Sequence, residues 1–205
     1  MPTVSPAPTV QPSLTSNLDK VLAALTRSGV NRKVNKSSEL TRGEAAVVLA
    51  EVTYLQSEPA GEPFADTANY WGGGQINALK RRGVLKEASG LFHPYSLIRK
   101  DDLAVLLERV LVLPDTINFH DNAFRDLPLG SYAYNAVAKL TYFDVMAGQN
   151  KNFFRPADTV TAADLAQMLD RIQKYGYPMN PDQHMEKSTA TSPPDPDKEP
   201  VLQPR

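Results

Sequence analysis

The chain has 205 residues and a mass of 22.5 kDa, enough for one domain of ordinary size or a smaller one with tails. Its 22 basic and 23 acidic residues leave a formal net charge of -1, so there is no overall attraction to nucleic acid or to an anionic membrane. The absence of cysteine excludes disulfide frameworks, thiolate metal sites and cysteine nucleophiles.

From the N-terminus, MPTVSPAPTVQPS lacks the basic patch and apolar stretch of a signal peptide, so an exported form would have lost its signal. No apolar run approaches the ~20 residues of a membrane span, and membrane insertion is not expected. Prolines crowd residues 1–15 and 176–205, where few large apolar side chains could offset the entropy of ordering. Both stretches are expected to be Pro-rich tails around a folded part at 16–175.

Within that part a helix is expected around Leu18, Leu22 and Leu25, ending at Gly29-Val30, and a second in LTRGEAAVVLAEV at 40–52. The same pair recurs twice. Ile76 and Leu79 precede Gly83-Val84, followed by IRKDDLAVLLERV at 98–110; Val137 and Leu140 precede Asp144-Val145, followed by VTAADLAQMLDRI at 160–172. In register, Ala45, Val48, Leu49 and Val52 match Leu103, Leu106, Leu107 and Val110, and then Leu165, Met168, Leu169 and Ile172. Each set is spaced i, i+3, i+4, i+7, one buried stripe of a helix. Three helix-loop-helix repeats are therefore expected, at about 16–57, 62–113 and 122–175.

The connecting loops repeat as well. Phe64-Ala65-Asp66 is matched by Phe124-Arg125-Asp126, and Gly90-Leu91-Phe92-His93-Pro94 by Asn152-Phe153-Phe154-Arg155-Pro156. Trp71 and Tyr132 stand at the start of the first helix of their copies, where the first copy has Asn17. Phe64, Phe92, Phe124, Phe154 and Pro94 are expected to pack.

This ordered set, F-x-D, an aromatic at a helix start, G-V, G-x-F-x-P and then T-R-x-E, resembles the S-layer homology domain in three copies. The resemblance implies an all-α, pseudo-threefold arrangement around a central helical bundle. It also implies grooves between neighbouring copies that hold an acidic or pyruvylated cell-wall polysaccharide or peptidoglycan-linked glycan. The implied role is to anchor an S-layer or other surface protein, fused or associated, to a bacterial cell wall outside the cell. Two rival functions are a helical-repeat protein adaptor and a docking domain of a wall-glycan hydrolase.

The candidate ligand-binding residues are Arg42, Trp71, Lys100, Tyr132, Arg99 and Asp66. Thr41 and Glu44 form a capping box by sequence, which leaves Arg42 without a capping duty and with a planar fork suited to a carboxylate. Lys100 supplies the charge without the fork, and Arg99 replaces the hydroxyl cap, leaving Asp101 and Asp102 as partners of the helix dipole. Gly72-Gly73-Gly74 after Trp71 is expected to bare one face of the indole for sugar packing. Asp66 and Asp126 also suit turn closure. If each groove joins the cation of one copy to the aromatic of the next, Arg42 meets Trp71, Lys100 meets Tyr132, and Ala162 meets Asn17. The first groove is then expected to dominate.

Catalysis has little support. His93, His120 and His184 are scattered, no metal-ligand spacing or G-x-S-x-G elbow occurs, and no cofactor is implied. Asp101-Asp102, or Asp115 with Asp121, are the carboxylate pairs a hydrolase would need to bring together.

Overall fold

The computed structural model describes residues 16–58, 61–87, 90–114 and 124–184. Six α-helices follow in order: α1 (Asn17–Arg27), α2 (Arg42–Val52), α3 (Gly73–Arg81), α4 (Lys100–Val110), α5 (Tyr134–Tyr142) and α6 (Ala162–Tyr175), with a 3₁₀ turn at Pro181–His184. There is no β-strand among the described residues, only isolated bridges, so the fold is all-α as expected.

The apolar stripes place α2, α4 and α6 in one core. Leu49, Leu103, Leu107 and Leu165 are fully buried, and Leu106, Met168, Leu169 and Ile172 nearly so. The other three helices pack against them, α3 on α2, α5 on α4 and α1 on α6. Helices α1, α3 and α5 end in the same way. Gly29, Gly83 and Asp144 take positive φ, and the next amide (Val30, Val84, Val145) returns to the carbonyl of Leu25, Leu79 or Leu140. That is the Schellman closure which the G-V step encodes.

The residues just ahead of α2, α4 and α6 tie the three motif segments into a ring. Ile98 N–H donates to Leu40 O (2.9 Å), Leu40 N–H to Val160 O (2.8 Å), and Val160 N–H to Ile98 O (3.3 Å). The ring explains why each helix starts two residues into its motif, since Leu40-Thr41, Ile98-Arg99 and Val160-Thr161 stay extended to pair with one another.

Helix starts are satisfied by the next loop. In α2 the first two amides, Arg42 and Gly43, donate to Ser96 O (2.8 Å) and Pro94 O (2.9 Å); in α4 Lys100 and Asp101 donate to Asp158 O (2.8 Å) and Pro156 O (3.0 Å); in α6 Ala162 and Ala163 donate to Ser38 O (3.0 Å) and Lys36 O (2.9 Å). The first two amides of α2, α4 and α6 are thus already used and are not open as an anion cradle.

The folded part runs past residue 175. Gly176 ends α6 in the left-handed conformation, and Tyr177 and Met179 pack against the core. Val112 N–H then donates to Pro178 O (2.9 Å), Asn180 N–H to Val110 O (2.7 Å), and Gln183 Nε2 to Arg109 O (2.7 Å). The C-terminal tail boundary expected at 176 is corrected accordingly, because two apolar side chains anchor a proline-bearing strap to the end of α4. The expected tails at 1–15 and 185–205 lie outside the described residues, as do Asp115, His120 and Asp121.

Candidate functional site

Sequence logic made Arg42 the free cation, and the structure binds it from three sides. Its Nε donates to Phe92 O (2.9 Å), one Nη reaches Glu87 Oε1 (2.5 Å) and the other Asp102 Oδ2 (3.1 Å). The guanidinium also lies 5.0 Å from the centroid of the Phe92 ring, and its side chain is only 15% exposed. Two carboxylates around one guanidinium leave the cluster with a negative excess. The Thr41–Glu44 capping box forms as expected, with Thr41 N–H donating to Glu44 Oε2 (2.9 Å), and Arg32 grips the same carboxylate through both Nε and Nη.

Lys100 occupies the equivalent place at the start of α4 but meets no carboxylate at ion-pair distance among the described residues. Its Nζ donates to Ala147 O (2.8 Å) and Phe154 O (2.9 Å) and lies 4.3 Å from the Phe154 ring centroid. An ammonium has three donors, so one remains. Burial pulls the Lys100 pKa below the ordinary lysine value, with the carboxylates of Asp158, Asp164 and Asp126 pulling the other way.

Tyr132 does not join Lys100. Its hydroxyl donates to Asp102 Oδ1 (2.8 Å), so it leans toward the Arg42 cluster while its ring stays 65% exposed. Burial, followed by the Asp102 carboxylate, raises its pKa. Arg99 forms a two-pronged pair with Asp101 (3.1 and 2.7 Å), and the Asp102 amide donates to Asp101 Oδ1 (2.9 Å), which replaces the missing hydroxyl cap.

Trp71 is half-buried against the core beside Tyr70, ring centroids 4.9 Å apart. The glycines after it do not serve to bare the indole. A Cβ on Gly73 would stand 2.7 Å from Thr67 O, and one on Gly72 or Gly74 would collide with Val47 or Ser57, so they permit close approach of α3 to α2. The aromatic that reaches the start of α2 is Tyr70, against whose hydroxyl a Cβ on Gly43 would press. Tyr95, largely exposed, extends this group edge-on to Tyr70 at 5.2 Å.

Asp66 is spent inside the fold. Its two oxygens accept from the Phe92 amide (2.9 Å) and the His93 amide (2.7 Å), and Asp126 holds Phe154 (2.9 Å) and Arg155 (2.7 Å) in the same way. His93 and Arg155 take positive φ, a conformation these bonds help to hold. Burial pushes both carboxyl pKa values up, but the amide bonds outweigh it and both sit below the ordinary value. Asn17, expected in the third groove, is buried, its Nδ2 donating to Asp170 (2.7 Å) and Gln173 (3.2 Å) on α6.

A polar groove of about 270 Å³ opens between Lys100 and the third copy, lined among others by Asp158, Thr159, Asp164, Gln167 and Arg171. A second hollow of about 310 Å³, bounded by Asn17, Tyr54, Ile172, Tyr177 and Met179, lies near the C-terminal ends of α2 and α6. Sequence reasoning missed Glu87 and Asp102 as partners of Arg42, and Gln167 and Arg171 as groove residues. Gln167 left a signal, standing in register with Val47 and Val105.

Residues 123–166 match the family model of the S-layer homology domain. Over these residues the chain resembles that domain. It is 29% identical over 138 residues to an S-layer protein of Bacillus thuringiensis subsp. finitimus, and 29% over 138 residues to the S-layer protein sap of Bacillus anthracis. Each alignment covers 66% of this chain and 17% of the relative. An endoglucanase of Bacillus sp. (strain KSM-635) is 23% identical over 144 residues, 66% of this chain and 15% of the enzyme. The chain thus spans less than a fifth of the length of these relatives. The match at 123–166 includes Phe124-Arg125-Asp126 and the Phe154 plug, and also Met146, Gly148, Asp158, Thr159 and Asp164, which line the polar groove.

Proposed function

We propose that the chain is a non-catalytic module that holds a protein at the bacterial cell surface by binding cell-wall polysaccharide between copies of the repeat. The closed ring of backbone bonds joining Leu40, Ile98 and Val160 supports three copies in a pseudo-threefold arrangement. Relatives named for an S-layer protein and for an endoglucanase share this stretch over a small part of their lengths, the pattern of an attachable module rather than of one catalytic unit. The observation that carries the binding assignment is the contrast between the two cations. Arg42 is neutralised by Glu87 and Asp102, whereas Lys100 faces an open polar groove with its charge unspent.

The groove between the second and third copies is therefore the main binding site in this reading, ahead of the one at Arg42. An acidic group on the glycan, such as a pyruvyl carboxylate, would complete the Lys100 coordination, and Gln167 and Thr159 offer polar contacts for hydroxyls. Protein-stripped walls from a Gram-positive bacterium provide the test. Retention by intact walls, reduced after chemical removal of pyruvate and reduced by Lys100→Ala, is the expected result. A folded protein that ignores the walls would remove the anchoring assignment, and unchanged retention after depyruvylation would remove the pyruvyl group only.

A further inference from the structure

The Lys100 groove carries both signs of charge. Lys100 and Arg171 line it, and so do Asp158 and Asp164. None of the four is saturated inside the protein. Lys100 bonds only backbone carbonyls, and Arg171 reaches Asp144 only at 4.0 Å. Asp158 meets Arg155 at 3.8 Å with both side chains half-exposed, a weak pairing in water. Asp164 accepts from the Thr161 amide (2.9 Å) and hydroxyl (2.6 Å) through Oδ2, which leaves Oδ1 for another donor.

An acidic group alone would satisfy Lys100 but leave Asp158 and Asp164 unmatched beside it, so an acidic ligand that also carries a cation binds more tightly than one that does not. A neutral sugar would leave the spare donor of Lys100 and the free Oδ1 of Asp164 without a charged partner. One class of ligand meets both requirements. We propose that this groove selects a wall sugar carrying a free amine together with a carboxylate, the carboxylate facing Lys100 and Arg171 and the amine facing Asp158 and Asp164. At about 270 Å³ the groove is near the lower limit of small-molecule sites, which suits one sugar unit of the polymer rather than an extended stretch.

The proposal rests on the wall-binding reading above and fails separately from it. Muramic acid and N-acetylmuramic acid share the ring and the lactyl carboxylate and differ in whether the amine is free. Each is used to displace the full-length protein from purified walls, and a second batch of walls has its free amines acetylated. Muramic acid is expected to displace at about fivefold lower concentration than its N-acetyl form, the worth of one partly solvated ion pair, and acetylated walls should retain less protein. The advantage of the free amine should vanish in Asp158→Asn combined with Asp164→Asn. Where the double variant unfolds, Asp158→Asn alone serves, because that side chain is exposed and caps no helix. Equal displacement by the two sugars, or displacement by neither while acetylated walls bind normally, overturns the proposal. Failure of the unaltered protein to bind untreated walls would instead overturn the anchoring function.

Discussion

The guanidinium of Arg42 and the carboxylate of Asp102, 3.1 Å apart, tie the first turn of α2 to the first turn of α4. Asp102 also accepts from Tyr132, so a single carboxylate joins the start of α2, the start of α4 and the segment ahead of α5. The cation that sequence reasoning assigned to a ligand is therefore a structural cross-link.

The first prediction follows from that cross-link. Arg42→Ala leaves Glu87 and Asp102 facing each other without a counter-charge and removes the bond to Phe92 O. The pair is only partly buried, so the expected loss is about 1–3 kcal/mol, below that of a fully buried ion pair. A thermal melt should show a clear fall, while wall binding measured well below the transition should change by less than about twofold. Weakened binding with an unchanged melt would return Arg42 to the ligand site.

Lys100 should behave in the opposite way. Lys100→Ala removes the only side chain reaching both Ala147 O and Phe154 O, and with it the charge that faces the groove. A charge-assisted contact of this kind is worth roughly 1.5–3 kcal/mol, so affinity for walls should fall by about tenfold or more. Lys100→Arg should restore part of the binding, since the positive charge returns but the longer fork does not fit two carbonyls set for an ammonium. Equal affinity of the wild-type protein and Lys100→Ala by titration would exclude the groove.

The fold was legible because its signals are local. The i, i+3, i+4, i+7 stripes, the G-V closures and the Thr41 and Thr161 capping boxes each depend on residues within a few positions, and each forms. The partners of side chains at a groove depend on how distant segments meet, and spacing does not reveal this. Asp102 aligns with Glu44 and Asp164, both capping-box residues, so nothing in its position showed that it would turn to Arg42 instead. Glu87 lies in a loop with no repeated counterpart. Trp71 was placed by alignment with Tyr132, yet the ring covering the start of α2 comes from Tyr70, one residue earlier.

Core packing gives a prediction that is independent of any ligand. Leu49 and Leu107 are fully buried, and Leu169 nearly so, at matching positions of α2, α4 and α6. Replacing any one with Ala should cost on the order of 2–5 kcal/mol, the sum of lost burial and the cavity left behind. The Leu169 variant is expected to lie at the low end, since its site borders the hollow near Tyr177 and can relax toward it. Denaturant melts showing losses below about 1 kcal/mol for all three would contradict a shared core.

The two aspartates of the F-x-D motif make stability depend on acid. In the folded protein the Asp66 carboxyl titrates below its ordinary value, because the Phe92 and His93 amides favour the charged form more than burial disfavours it. A folded pKa below the unfolded one gives stability that is complete above the unfolded value, near 3.8, and is lost as pH falls through the lower folded value. Asp126 has the same sign, so the two losses should coincide. Asp66→Asn keeps one acceptor oxygen but turns an NH₂ toward the other amide, leaving a backbone N–H unpaired at a loop where His93 holds positive φ. The expected cost at pH 7 is about 1–3 kcal/mol. As the pH is lowered toward about 2 the wild-type carboxyl takes up a proton on passing through its lowered folded value and then also presents a donor to one of the two amides, so the gap between wild type and variant should narrow. Urea melts at both pH values read this directly. A gap of the same size at pH 7 and pH 2 would mean that shape, and not the carboxylate charge, holds the plug loop in place.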